Sequence, residues 1–308
     1  MLPTTPLPHY PHHRELLLED KQFFDELFRE LQPRISELTF AGLYLFRAPH
    51  SYRVSYLDGS VMVSGAGYDG RPHFLPPLGG ERRGAARRIL RDGWEIYGAD
   101  EELAKALSLN REVTAEEDRD NFDYVYLRRD LAELAGNRYH KKKNRIAYFT
   151  KRHEFITKRY ETAHRDGSLA LLEQWRQVHD KLGSSSLPSE TAATAEALTR
   201  WEELGLEGVV LLVGGEVRAF ALGERLNDTT ALCHFEKGDP FLEGISQLVN
   251  REFSRTLFAD CEFINREQDL GEPNLRQAKL SYHPLELVKK YRIRSEDKAK
   301  GGNYHHDS

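Results

Sequence analysis

Hydrophobic and polar positions along the chain fall into short helical or alternating runs separated by turn residues. Between residues 15 and 31 the apolar side chains Leu17, Phe23, Phe24, Leu27, Phe28 and Leu31 recur at helical spacing, which predicts an amphipathic helix. Residues 40–46 are an apolar run whose length and composition predict a buried strand. Residues 52–57 and 60–65 flank Asp58-Gly59, a strong hairpin signal because that dipeptide suits a tight turn with positive φ. A turn at 76–80, a basic helix at 81–91, strands at 94–97 and 124–127, and a helix at 101–109 complete the first half.

The second half follows a similar order. Helices at 169–181 and 189–204 precede a strand at 208–213, Gly214-Gly215 turns into a strand at 217–222, and Asn227-Asp228 turns into one at 229–235. A helix at 245–258, a strand at 261–264 and a closing segment at 285–293 follow. No sequence repeat links the halves, so the parallel is architectural. It predicts an α+β protein of two domains, each a mixed, mostly antiparallel sheet flanked by helices, covering 1–155 and 156–294. The polar tail 295–308 is expected to be disordered, and His9, His12 and His13 to sit in an irregular lead-in rather than on a metal.

Composition narrows the function classes. The 308 residues carry a formal net charge of -5, which excludes nucleic-acid binding through global charge and leaves only a local patch. No apolar run reaches membrane-spanning length and the first residues lack the order of a signal peptide, so a cytoplasmic protein without an integral membrane segment is expected. Cys233 and Cys261 have no metal-ligand spacing and read as buried thiols; no metal site is expected.

The densest chemistry lies at 263–284. A short apolar strand empties into Asn265, Arg266, Glu267, Gln268 and Asp269, followed by a Leu-Gly turn, a short basic helix and a Ser-Tyr-His-Pro exit. Polar groups at the mouth of a strand commonly line a ligand site, since the strand fixes them while the loop aims them. Acyl transfer needs a base or proton relay, donors for the carbonyl oxygen and anchors for the acceptor. Candidates for catalysis are Glu236, Asp269, Tyr282 and His283; candidates for substrate binding are Lys237, Asn265, Arg266, Glu267, Arg276 and Lys279. The bland alternative is a salt-bridged network locking strand to helix. His283, preceding Pro284, is expected to be extended, and either a base or a ring bonded to backbone at a turn. A second patch, Arg138, His140, Lys141, Lys142, Lys143 and Arg145, reads as a basic helical face for phosphate or tRNA, against a merely solvated helix. The arginines at 82, 83, 87, 88 and 91 read as solvated surface.

The pieces Asp123-Tyr-Val-Tyr, 131–144, Glu243-Gly244-Ile245, 263–271 and 279–284 resemble the DUF2156 family, which is similar to the C-terminal catalytic domain of phosphatidylglycerol lysyltransferases. The resemblance covers nearly the whole chain and implies two tandem GNAT-like domains. Relatives of this kind, the Fem peptidoglycan transferases among them, pass amino acids from charged tRNA to amines, hydroxyls or a lipid headgroup. Their closing Asp-x-Gly, Leu and Lys pattern is echoed by Asp269-Leu270-Gly271, Leu275 and Lys279. The glycine-rich loop that cradles CoA pyrophosphate is not matched at 237–246, where Gly238 and Gly244 lie too far apart and Asp239 and Glu243 would repel phosphate. No cofactor is therefore assigned, and acyl-CoA is disfavoured. The resemblance implies an acyl- or aminoacyltransferase, with aminoacyl-tRNA as the expected donor partner and the acceptor unidentified. The alternatives are a CoA-dependent N-acetyltransferase with a degenerate loop, or a non-catalytic module for tRNA or an anionic ligand.

Overall fold

The computed structural model describes residues 3, 5–109, 113–179 and 187–296; the expectations for 180–181 and 297–308 lie outside these residues. Among the described residues the strands form two sheets of seven, within two compact units.

The first unit comprises Met1–Leu31, Arg47–Phe122 and Val288–Ser308. Its strands are β1 (Arg14–Glu15), β2 (Arg53–Leu57), β3 (Ser60–Ala66), β4 (Pro72–Phe74), β5 (Glu95–Ala99), β6 (Val113–Glu117) and β14 (Tyr291–Ser295), in the order β1-β2-β3-β4-β5-β14-β6. β4 and β5 are parallel and the other neighbours antiparallel. The β2–β3 hairpin turns through Asp58 and Gly59 at φ 49° and 81°, as the dipeptide predicts. Helices α1 (Lys21–Leu31), α3 (Arg82–Arg91) and α4 (Glu101–Ser108) belong to this unit, and Ile89 and Leu103 join Met62, Phe74, Ile96 and Ile293 in its core. On α3 the arginines face outward, with Arg82 paired to Asp100 and Arg88 to Asp92, as expected of a solvated surface.

The second unit comprises Gln32–Phe46 and Asp123–Leu287. Its strands are β7 (Asp123–Leu127), β8 (Ile156–Arg159), β9 (Glu207–Val213), β10 (Glu216–Asn227), β11 (Thr230–Gly238), β12 (Phe263–Asn265) and β13 (Glu286–Val288), in the order β13-β7-β12-β11-β10-β9-β8. β11 and β12 are parallel, between antiparallel neighbours. The helices are α2 (Phe40–Leu45), α5 (Arg128–Glu133), α6 (His140–Thr150), α7 (Arg165–His179), α8 (Leu187–Thr199), α9 (Trp201–Leu204), α10 (Ile245–Thr256) and α11 (Pro273–Leu280). Consecutive strand residues face opposite sides, and Glu236 meets Asn250 of α10 while Lys237 meets Glu190 of α8, so α10 and α8 cover opposite faces. The α10 face holds a core of Tyr124, Tyr126, Phe149, Leu211, Cys233, Leu248, Phe253 and Ile264.

The α+β class and the mixed sheets match the expectation; several elements differ from it. Residues 40–46 hold the helix α2 rather than a strand. Thr39 Oγ1 accepts the Gly42 amide at 3.0 Å as an N-cap, and Phe40, Ala41, Leu43, Tyr44 and Leu45 are all buried. A helix buried all round has no polar face, which hides its period. The helix expected at 189–204 breaks at Arg200. Strands β4 and β6 carry little apolar alternation, and the pattern does not predict them. The units also cross the expected cut at 155. β7 joins the second sheet through Leu127↔Phe263 and Val125↔Asn265, and β14 returns to the first between β5 and β6, so Ser295 closes a strand.

Gly244 caps α10 at φ +95°, and a Cβ there would lie 2.1 Å from the Arg145 carbonyl oxygen. Gly244→Ala is expected to lower stability by about 2–3 kcal/mol through the strained φ and the clash with α6. Urea denaturation checks this; a parent-like midpoint would contradict so close an approach of α6 and α10.

Candidate functional site

β12 is only three residues long, and it pairs β11 over Thr230, Ala231 and Leu232 alone. β11 continues to Gly238 against β10, so residues 233–238 run on past the end of β12. The chain leaving β12 there is rich in buried polar groups, each of which needs a partner. Asn265 Nδ2 donates to Asp123 at 3.1 Å and to the Arg34 carbonyl, while its Oδ1 accepts the Glu267 amide at 2.8 Å. Asp123 in turn accepts from the Ser36 amide and hydroxyl.

Asp269 is fully buried and its oxygens are saturated. Oδ1 accepts from Arg276 Nη2 and the Gly271 amide, and Oδ2 from Arg276 Nε and the Tyr124 hydroxyl. Burial pushes its carboxyl up, but Arg276, Tyr124 and the Gly271 amide outweigh it and hold the pKa at about 2. Lys279 is the buried residue of α11 and donates to the Arg266 and Gln268 carbonyls at 2.5 and 2.6 Å. Its burial drives its pKa down to about 8. Asp269, Arg276, Asn265 and Lys279 thus fasten the loop and α11 to the sheet.

A bulge in β11 builds a second cluster. Leu222 pairs Phe235 and Gly223 pairs Cys233, leaving His234 unpaired between them. His234 Nδ1 meets Glu267 at 2.8 Å and Nε2 meets Glu224 at 2.7 Å, with its side chain 1% exposed. Burial alone would lower its pKa; the hydrogen bonds and charges of Glu224 and Glu267 reverse that and raise it to about 10. The ring is therefore an imidazolium clamped between two carboxylates. His234 and Glu224 are not among the sequence candidates, because the three partners lie on separate segments with no spacing signal.

Beyond the bulge Glu236 returns to the α10 face. Its Oε2 accepts from Arg266 Nη2 at 3.1 Å and Asn250 Nδ2 at 2.9 Å. The Arg266 guanidinium lies 5.1 Å from the Tyr282 ring centroid and 5.8 Å from that of Tyr126. Burial works against its charge, but Glu236 raises its pKa further above the usual range. From α6, Lys142 Nζ sits 3.9 Å from the Tyr282 centroid and donates to Ser281 Oγ at 2.7 Å. Burial, then the charges of Arg266 and Arg145, lower its pKa to about 8. Three polar atoms here have no hydrogen-bond partner among the described residues: Glu236 Oε1, the Tyr282 hydroxyl and the buried Asn250 Oδ1.

The other candidates fall outside this cluster. Lys237 faces away, paired with Glu190 at 2.5 Å and 3.8 Å from the Trp175 ring centroid. His283 is exposed and adopts φ +55° instead of the expected extended backbone, because its amide closes a turn onto the Leu280 carbonyl; its Nε2 meets the Arg138 carbonyl at 3.3 Å. Arg138 precedes α6 rather than lying in it and pairs with Asp130. His140 Nδ1 meets the Asn137 carbonyl, Lys143 donates to the Gly136 carbonyl, and Lys141 and Arg145 are exposed. Tyr139, Ile146 and Phe149 are buried beneath the cations. Among the described residues no three His, Cys, Asp or Glu side chains gather as metal ligands.

Two mixed, helix-flanked sheets of seven strands, together with the family match that follows, support an acyltransferase as the class of protein. The chain belongs to the family described as phosphatidylglycerol lysyltransferase, C-terminal, whose model matches residues 28–294. A conserved protein of unknown function from Bacteroides thetaiotaomicron superposes with a TM-score of 0.85 and 28% identity, over 92% of this chain and 99% of the other. The C-terminal domain (DUF2156) of a putative lysylphosphatidylglycerol synthetase from Agrobacterium fabrum gives a TM-score of 0.63 at 13% identity, over 91% and 94% of the two chains. L-PGS from Bacillus licheniformis gives 0.62 at 12% identity, over 90% and 92%; at such identities the likeness is one of fold. No curated protein matches the chain.

The raised pKa of His234 fixes a pH dependence. The imidazolium's stabilisation is complete below about pH 6.5, the unfolded value, and is lost as pH rises toward 10. Parent stability should therefore fall relative to His234→Gln by about 2 kcal/mol or more between pH 6.5 and 10. Chemical denaturation at stepped pH measures it; parallel pH profiles would show the ring to be neutral.

Proposed function

We propose that the chain transfers an aminoacyl group from a charged tRNA to an amine or hydroxyl acceptor at the Glu236–Arg266–Tyr282 cluster. The observation that carries this reading is the set of unpartnered polar atoms beside Arg266, Lys142 and Arg145. Glu236 Oε1, Asn250 Oδ1 and the Tyr282 hydroxyl are free to meet a polar substrate, while Glu236 is the carboxylate that Arg266 bonds and Lys142 senses. Family membership supplies the reaction class. In this reading Glu236 grips the ammonium of the aminoacyl group or accepts a proton from the acceptor. Arg266 and Lys142 hold the carbonyl or a phosphate oxygen, and the Tyr282 hydroxyl, kept protonated by burial, donates to the leaving group. Asp269, Asn265, Glu267, Arg276 and Lys279 support this cluster. The exposed Lys141, Lys143 and Arg145, with Arg138, His140 and His283 beside them, form the approach for phosphates.

The loop before α10 favours a donor other than CoA. Asp239 is buried, bonded to the Phe241 amide and paired with Arg218, and Gly244 packs against the α6 backbone. A pyrophosphate seated at that helix start would meet a carboxylate and a neighbouring helix. The acceptor stays open between a soluble amine, a peptidoglycan-type amine and a lipid headgroup. Among the described residues no helix is long and apolar enough to cross a membrane.

Filter binding against charged and uncharged tRNA tests the reading. Binding should fall by about tenfold or more in the combined Lys141→Ala, Lys143→Ala, Arg145→Ala variant, and its salt dependence should flatten by about one in log–log slope for each phosphate no longer neutralised. Absence of binding at low salt, or tight binding of acetyl-CoA by titration calorimetry, would remove the tRNA donor. Binding unaffected by alanine at Glu236 and Tyr282, with the cellular role also intact, would leave only a binding module.

A further inference from the structure

Ser281 and Lys142 form a pair of which the transfer reading uses only the lysine. Ser281 follows α11 directly, is partly exposed, and its Oγ lies 2.7 Å from Lys142 Nζ and 2.5 Å from the Ala278 carbonyl. Lys142 makes no ion pair with a carboxylate within 4 Å among the described residues; its Nζ rests on the Tyr282 ring instead. Its charged neighbours are Arg266, Arg145 and Glu236. An amine placed in this way, within reach of a hydroxyl, is the arrangement by which a serine–lysine pair makes a nucleophile.

We propose that Ser281 is a nucleophile activated by Lys142 and carries the acyl group of an activated carboxylic ester as a covalent intermediate. This rests on the reading that an acyl donor reaches the Glu236–Arg266–Tyr282 cluster, since Ser281 adjoins Tyr282. In the first step the Ser281 hydroxyl turns from the Ala278 carbonyl to the neutral amine and gives it the proton. The Oγ–acyl carbon bond forms, the ester C–O bond breaks, and Lys142 passes the proton to the departing alcohol oxygen. In the second step an amine or hydroxyl acceptor attacks the acyl-serine, its proton moves to Lys142 and then to Ser281 Oγ, and the enzyme is restored. Atoms and charge balance without a metal or a redox partner. The Arg266 guanidinium, held charged by Glu236, faces the same ring and is the donor available to the developing oxyanion. Burial and the neighbouring cations keep the Lys142 amine near pKa 8, so that a useful fraction is neutral at physiological pH.

The test uses the full chain with a fluorophosphonate probe, read by intact mass and by peptide mapping. One adduct is expected on Ser281, forming faster as pH rises through about 8 as Lys142 loses its proton. Ser281→Ala should remove the adduct. Lys142→Arg preserves the positive charge but cannot release the proton, and should slow labelling at least about tenfold with circular dichroism unchanged. A parent protein without an adduct on Ser281 overturns the proposal, as does Lys142→Arg labelling at the parent rate. Either result leaves direct transfer intact, because tRNA binding is measured separately and needs neither residue as a nucleophile.

Discussion

The shortness of β12 is the constraint on which the second unit depends. Three paired residues place the chain deep in the sheet and then end the pairing with β11; past the backbone bonds that Arg266 and Glu267 make to Tyr124, the buried polar side chains must find partners of their own. Asp123, Asn265, Asp269 and Lys279 do so with charge-assisted bonds, which are stronger than neutral ones. α11 shows the consequence. Its inward anchors are Lys279 and the Arg276–Asp269 pair, while Leu275 and Leu280 are 39% and 44% exposed. Amphipathicity, the usual reason for a helix to sit where it does, is inverted here.

Hydrogen-bond saturation distinguishes the two carboxylates along this exit. Asp269 commits both oxygens to four donors and has nothing left for a substrate. Glu236 commits one oxygen to Arg266 and Asn250 and keeps the other. The two carboxylates look alike in the sequence, since both lie beside cations near a strand end. Their difference arises from α11, which brings Arg276 back onto Asp269, and from the bulge at His234, which turns Glu236 toward α10. A buried acceptor such as Asn250 Oδ1 without a partner costs stability, and such costs are tolerated where a ligand supplies the missing donor.

How much of this is legible in the sequence follows from the range of each signal. The Asp58-Gly59 hairpin is readable because its turn needs only two residues with positive φ. The α6 core positions are readable because Tyr139, Ile146 and Phe149 keep helical spacing. α2 reads as a strand because a six-residue helix buried all round carries no period, although Thr39 is a local cap signal. The division into units differs from the expected cut because β7 and β14 each pair across a long sequence separation, which no local pattern encodes. At the candidate site, residue types are visible and their partition is not. The bulge at His234 that turns Glu236 toward α10, and so Lys237 toward α8, is a property of pairing with β10, and the His234 clamp joins positions 10 and 33 residues apart.

In the proposed chemistry the cluster's electrostatics suit two cations that share one ring to different tasks. Arg266 and Lys142 both face Tyr282, at 5.1 and 3.9 Å from its centroid. Glu236 is bonded to Arg266 and keeps the guanidinium charged against the cost of burial. Lys142 has no such bond, and burial together with Arg266 and Arg145 weakens its hold on the proton. A guanidinium that does not titrate suits the holding of an anion or oxyanion, whereas an amine with a pKa of about 8 suits the exchange of protons. Interchanging the two residue types would undo both tasks, since a buried lysine beside Glu236 would titrate and an arginine beside Ser281 would not.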